Sequence, residues 1–474
     1  MKNYLKKFRF EILFLFVFFE VFLYNSESNL QLIVTIVEYI FITFVLFTNK
    51  KTGLIYFFMF TLLAFGGWSY INTELPNNFW GVRLFGFSFN ILYSVFVFVF
   101  FLIKKKYSIP KSIFYNKFFT FFILYSLILG LYNIIVLNNY VDNFQSDFFT
   151  YVPYFIYAYL LSFLDINSLL RMVKYGLFLT VLSMLLSLVF NIKFQYGQYF
   201  VLMNSFAFIL PFSIFFFKNL YSKTHYLFLL LTVIMLLITL NIFIGGKLII
   251  IFIITFCWIA YINRNKFALV LIIFSGSIFF LPSIFTFFIE YFSIADVDGN
   301  LNVISYKFSQ IFDAFSLIDL DTIANTPSSM GNFVAEGMTT YSYLMSNKMV
   351  LIFGKGFGGA IPDLFGYLSP GAGESGYALQ DATRNQFFKM HLPIYEIIIK
   401  SGLAGFIFYL IMLFKHFNSK SIFSFISFVL LFTVFFVSKE MFLLTLIFMR
   451  ISQEEYNIDS KIQDNINVKI NKSY

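Results

Sequence analysis

Charge is scarce in this chain. Asp, Glu, Lys and Arg make up 12% of 474 residues, whereas 59% are hydrophobic and 23% aromatic. The mean hydropathy of +0.81 is far above that of a soluble domain, which cannot hide so much apolar surface. Composition therefore excludes a water-soluble globular fold and predicts an all-α polytopic membrane protein, since helices satisfy their own backbone in lipid. Cysteine is nearly absent. Cys257 is the only one, so no intramolecular disulfide forms, and its apolar setting reads as a buried thiol. With three histidines, no Cys/His cluster and no H-E-x-x-H, no metal-site signature is present. Asp363, Glu374 and Asp381 offer carboxylates but match no metal-binding pattern. "GKGFGG" (354–359) is dense in glycine, yet it lacks G-x-x-x-x-G-K-[ST] and a strand–helix frame, which argues against a nucleotide loop. No cofactor is expected.

What is present is a long series of apolar runs. Spans are predicted at 9–24, 30–48, 54–72, 81–103, 117–137, 149–164, 175–191, 200–217, 226–242, 248–262, 267–287, 394–414 and 421–437, with a short run at 440–450 that is either a span or a re-entrant segment. The total is about 13–14. The first run follows Lys2, Lys6, Lys7 and Arg9 without a small-residue cleavage site, so it reads as an uncleaved span. Lys50 and Lys51, Lys104 to Lys106, Arg171 and Lys174, Lys218 and Lys223, Arg264 and Lys266, and Lys415 and Lys420 fall on alternate connections. The intervening connections "NSESN", "NTELPNN" and "NNYVDNFQSD" carry acids or no charge. The positive-inside rule then places the N-terminus in the cytoplasm, with Trp68 and Trp80 as anchors beside an outer loop. Net charge is +9, but it is spread over inner loops rather than gathered on one face, so it signals topology and not nucleic-acid binding. The chain divides into a membrane bundle (1–287), a large outer segment (288–393), C-terminal membrane helices (394–450) and a cytoplasmic tail (451–474).

Segment 288–393 is too long for a plain connector, and its ten acids against five bases make it acidic on balance. Apolar spacing predicts helices in 305–318 and 328–345. Of the histidines, His225 and His416 fall on inner loops and only His391 faces outward, at the mouth of a span. A neutral imidazole there can take a proton from an attacking hydroxyl, though an isolated interfacial histidine more often marks a helix end. Glu396 and Lys400 follow at i, i+4, a spacing equally suited to a structural pair and to a site. Arg83, Lys193 and Lys247 approach the outer face from distant parts of the chain, with Lys247 in the tight turn of "NIFIGGKLII". Singly each reads as a snorkelling side chain. Together with Arg384, they suit a lipid-linked pyrophosphate.

Three features resemble the bacterial O-antigen polymerase and O-antigen ligase superfamily. One is the topology, with many spans and a large outer loop before the last few. Another is "YGQYFVLMNSFAFILPFSIFFF" (196–217), in which Asn204 matches the family's asparagine. The third is "FGKGFGG" followed by "HLPIYEIIIKSGLAG" (391–405), which is similar to G-x-G-x-G … H-N-x-x-L-E-x-x-x-x-x-G-x-x-G and yields His391, Glu396, Gly402 and Gly405. Departures are Lys247 in a Gly245-Gly246-Lys247 turn where the family has Ser-Arg-Gly, Leu392 after the histidine, and no arginine near 328–332.

The resemblance implies glycosyl transfer at the outer face of a bacterial cytoplasmic (inner) membrane, from undecaprenyl-diphosphate-linked oligosaccharide to a sugar hydroxyl. His391, or alternatively Glu374 or Asp381, would deprotonate the acceptor. Lys247, Arg384 and Arg83 would neutralise the leaving pyrophosphate. Lys355, Gly356 and Gly358 would frame the glycan, with Glu374, Asp381, Glu396 and Lys400 nearby. A polymerase, acting on a second lipid-linked repeat unit and served by a chain-length regulator protein, is the first reading. A ligase with lipid A core or protein as acceptor is the second. A lipid-linked oligosaccharide flippase is the third, and the absence of two similar halves counts against it.

Overall fold

A computed structural model describes residues 9–23, 28–64, 82–84, 87–104, 117–137, 141–190, 204–212, 329–368, 379–390, 392–417, 421–433 and 440–454. They are almost entirely helical. The helices are α1 (Phe10–Phe22), α2 (Ser28–Thr48), α3 (Lys50–Leu63), α4 (Phe89–Lys104), α5 (Lys117–Leu137), α6 (Val141–Tyr151), α7 (Pro153–Leu161) and α8 (Ile166–Val189). A 3-10 helix (Ser205–Phe212) follows, then α9 (Ser329–Ser346), α10 (Lys348–Phe353), α11 (Leu379–Arg384), α12 (Pro393–Phe417), α13 (Ile422–Thr433) and α14 (440–454). Before α4, two-residue strands β1 (Arg83–Leu84) and β2 (Phe87–Ser88) pair antiparallel, with Arg83 opposite Ser88.

Among the described residues, four helices contain segments long and apolar enough to cross a membrane: Leu30–Thr48, Lys117–Val136, Ile166–Ser187 and Pro393–Phe414. Three of them have apolar, open outward faces: α2 (Ile33, Ile40, Phe47), α5 (Ile128, Ile135) and α12 (Phe408, Ile411, Phe414). In water such faces would aggregate, whereas in lipid they are solvated. The fold is that of an α-helical membrane protein.

α3 lies at the centre, buried from Thr52 through Leu63. It joins α2 through a single residue, Asn49, whose side chain accepts from Thr52 N at 3.2 Å. Gly53 allows the close approach this hairpin needs, because a Cβ there would stand 2.6 Å from Leu46 N. Helix starts differ from the hydropathy reading. α8 begins at Ile166, ahead of the apolar run expected from 175, because Asp165 caps it by accepting from Ser168 N at 3.1 Å. The expected span at 149–164 is instead two helices, α6 and α7, separated at Val152 and restarted by Pro153 at a first-turn position, where its missing N–H costs nothing. The short run 440–450 lies within α14, where Met441 to Met449 are buried. Of the expected spans, 226–242, 248–262 and 267–287 lie outside the described residues.

Candidate functional site

The site is built where α12 bends. Gly402 has φ +64 inside the helix, a left-handed conformation that takes it out of the regular ladder. Just before the bend, the carbonyls of Ile399 and Lys400 accept from Lys355 N at 2.7 Å and Gly356 N at 2.9 Å. The glycine-rich loop thus docks on α12 through its own backbone. On its other side Phe357 N donates to Ser126 O at 2.7 Å, and Asn133 Nδ2 donates to Lys355 O at 2.5 Å, both on α5. Tyr125 Oη closes the start of the loop by donating to Phe353 O at 2.7 Å.

Gly354, Gly356 and Gly358 all have φ near +75, and the space around them is as restrictive as the dihedral. A Cβ on Gly356 would collide with Gly130 N, and one on Gly358 would lie 2.7 Å from Phe144 N. Ser126 and Gly130 stand midway along the Lys117–Val136 span. Non-helical backbone at that depth survives only when its polar groups are met by protein, which they are here.

Beneath the loop lies a charged cluster sealed from solvent. Lys400 Nζ donates to Asp147 Oδ1 at 2.8 Å and to Glu396 Oε1 one turn before it, and all three side chains are buried. Tyr151 Oη donates to Glu396, while Gly358 N donates to Asp147 Oδ2 at 2.6 Å. The Tyr151 ring stacks on Phe357 (5.3 Å between centroids) and receives the Lys400 ammonium at 5.2 Å. Each carboxylate therefore meets both the ammonium and a second donor, the condition under which buried charge is tolerated.

The sequence-predicted residues divide clearly. Gly356, Gly358, Glu396 and Lys400 come together. Lys355 sends its ammonium away from the cluster, to Ala360 O at 2.5 Å and Tyr343 Oη at 3.2 Å. Arg384, at the end of α11, donates from Nη1 to Asp142 Oδ2 at 2.8 Å. That guanidinium holds the Asp142 carboxyl below the usual carboxylate range. Asp381 is buried on α11. Asp363 accepts from Tyr367 N (3.1 Å) and Leu368 N (2.9 Å), so it organises its own turn. Ile361 and Phe387 bridge and anchor a small separate core with Ala335, Leu368, Met390 and Ile399. For Arg83 the strand pairing alone is described. Lys247, Lys193, Glu374 and His391 lie outside the described residues. Among the described residues, no group of three or more His, Cys, Asp or Glu is placed to hold a metal ion.

Sequence reasoning missed Asp147 and Tyr151. "NNYVDNFQSD" reads as an acidic outer connection, but from Val141 it is helix α6. Its signal was Asn143, Asp147 and Tyr151 at i, i+4, i+8, and all three are buried on one helix face. Asn204, the position shared with the resembled family, is also buried, and its Oδ1 accepts from Thr180 Oγ1 at 2.7 Å and Phe206 N at 3.0 Å. It caps the 3-10 helix and ties it to α8. Comparison with protein-family models, with curated proteins and with solved structures finds no match to this chain.

Proposed function

We propose that this chain is a membrane glycosyltransferase of the polysaccharide-polymerase type, working at the outer face of a bacterial cytoplasmic membrane with its N-terminus inside. In this reading the chain crosses the bilayer about 13–14 times and carries one large outer segment before the last spans. One observation carries the proposal. The two halves of the motif that resembles the polymerase and ligase superfamily, the glycine run and "HLPIYEIIIKSGLAG", are some forty residues apart in sequence and bond to each other directly, through Lys355 and Gly356 to Ile399 and Lys400. A motif whose halves interlock describes a single device. The loop's amides are engaged by protein, so it also braces the outer segment onto α5, α6 and α12.

The donor is a glycan on undecaprenyl diphosphate and the acceptor a hydroxyl of a second lipid-linked repeat unit. The hydroxyl oxygen attacks the anomeric carbon, the bond from that carbon to the pyrophosphate oxygen breaks, and undecaprenyl diphosphate departs. His391 takes the hydroxyl proton, and Arg384, Lys247 and Arg83 offset the charge on the leaving group. The leaving group is already activated, so positioning and charge supply the rest. Arg384 is held by Asp142, which fixes it beside the outer end of α6. The test is a gel of surface glycan from a deletion strain carrying wild type or His391→Ala. A core capped by one repeat unit, with a ladder restored by wild type alone, is the expected result. A bare core with long chains accumulating on the carrier lipid would make the chain a ligase. An unaltered ladder in the deletion strain would overturn both.

A further inference from the structure

Two glutamates interrupt the apolar faces of the first helices, and neither belongs to the cluster on α12. Glu20 lies on α1 and Glu38 on α2, at the middle of the Leu30–Thr48 span. Two contacts bracket them. Phe16, one turn before Glu20, packs on Phe41, just under one turn after Glu38, with centroids 5.7 Å apart. On the other side Gln31 Nε2 donates to Leu23 O at 2.7 Å. Helices gripped at both places bring the intervening faces together, and the two carboxyls interact across the seam.

Glu38 is fully buried, and among the described residues no donor outside the pair reaches either of its oxygens or Glu20 Oε1. An ionised carboxylate without a donor inside a bilayer is among the costliest arrangements a protein can hold, and a second one opposite adds repulsion. Among the described residues no cation lies beside the pair. On the elements packed around it, the charged residues described are Arg9 and Glu11 towards the far end of α1, Lys50 and Lys51 at the start of α3, Lys104 at the end of α4, and Arg171 and Lys174 near the start of α8, while Tyr93 of α4 bonds to Thr43. Tyr56 on α3 is engaged with the Arg9 backbone, and Tyr39 follows Glu38 in the α2 helix. The α8 hydroxyls of Ser183 and Ser187 donate to Thr180 O and Ser183 O. One proton resolves the conflict: the O–H of one carboxyl donates to an oxygen of the other, leaving a single shared negative charge.

We propose that Glu20 and Glu38 form a proton-binding site within the membrane, in which the two carboxyls share one proton. A metal cation is a poorer occupant, because such ions gather about six oxygens and two carboxyls between apolar helix faces fall short. The site stands apart from the transferase reading and does not depend on it.

The test uses the full chain in lipid nanodiscs with dicyclohexylcarbodiimide, an apolar reagent that modifies protonated carboxyls, and mass spectrometry to locate the adduct. Glu38 is expected to be labelled at about pH 7, with a rate falling about tenfold per pH unit above its midpoint. In Glu20→Gln the partner charge is gone, and the midpoint should move down by about one pH unit or more. The infrared carbonyl band of a protonated carboxyl should be present in the wild-type chain at neutral pH and reduced in Glu38→Gln. The proposal is overturned by absence of both adduct and band, by an unchanged midpoint in Glu20→Gln, or by protection with sodium ions at fixed pH, which would assign the site to a cation. If Glu20→Gln does not insert, the wild-type band and the sodium experiment still decide.

Discussion

Lys400 shows how one residue can be indispensable to a fold while never meeting solvent. Its ammonium satisfies Asp147 on α6 and Glu396 on its own helix, so removing it strands two carboxylates in an apolar interior. Lys400→Met should therefore cost about 3–5 kcal/mol, the range for breaking a buried pair from one side. Thermal unfolding in detergent would show it, and an unchanged midpoint would remove the cluster from any structural role. Asp147→Asn leaves Lys400 with one carboxylate and keeps an acceptor for Gly358 N, so a smaller loss is expected in the same assay. Gly356→Ala tests the loop by different physics. It combines an unfavourable φ with a collision against Gly130 and should destabilise by about 1–3 kcal/mol. Gly366 also has positive φ but open space around it, so Gly366→Ala serves as the comparison that isolates the dihedral cost.

At the scale of elements, helix ends rather than helix interiors decide where the bundle begins and stops. Asp165 is an example. Hydrogen bonds from Ser168, together with the Lys51 ammonium 3.0 Å away, hold its carboxyl down at about 2. Because the folded-state value lies below that of an unfolded aspartate, about 3.9, the stabilisation is present above that range and is lost as pH falls towards 2. Asp165→Asn keeps the cap but does not titrate, so its thermal midpoint should change less over that window than the wild type's. Asp165→Ala removes the cap and should cost about 1 kcal/mol at neutral pH. Equal acid sensitivity in wild type and Asp165→Asn would sink the assignment.

Across the whole molecule, two contacts of unlike kind among the described residues tie segment 329–390 to the bundle helices. One is the glycine loop, buried and wedged between α5, α6 and α12. The other is the Arg384–Asp142 ion pair, in which Asp142 is more than half exposed and so adds little stability by itself. Its contribution is position. Exchanging the charges, Asp142→Arg with Arg384→Asp, should leave the unfolding free energy within about 1 kcal/mol of wild type, as for exposed pairs. Under the proposed transferase function it should nevertheless remove glycan polymer, because the cation has moved to α6. A wild-type ladder from the exchanged protein would separate Arg384 from the chemistry.

Sequence alone determined the class of this protein, and the reason is bulk energetics. An apolar fraction this large, with so few charges, has one stable solvent and one backbone solution, which are lipid and helix. It also made Glu396 and Lys400 legible as neighbours, since helical spacing is local. The partners of that pair were not legible. Asp147 and Tyr151 lie some 250 residues away in sequence, the first in a stretch whose acids read as an outer connection and the second in the span expected at 149–164. No periodicity within α6 states which helix its polar face will meet. The glycine run was visible as unusual, but its packing was not, because positive φ suits many tight backbone arrangements equally. Only the tertiary structure shows it wedged, by filling the space around Gly356 and Gly358 with the backbones of α5 and α6. Contacts of that kind belong to pairs of elements, and a sequence records each element separately.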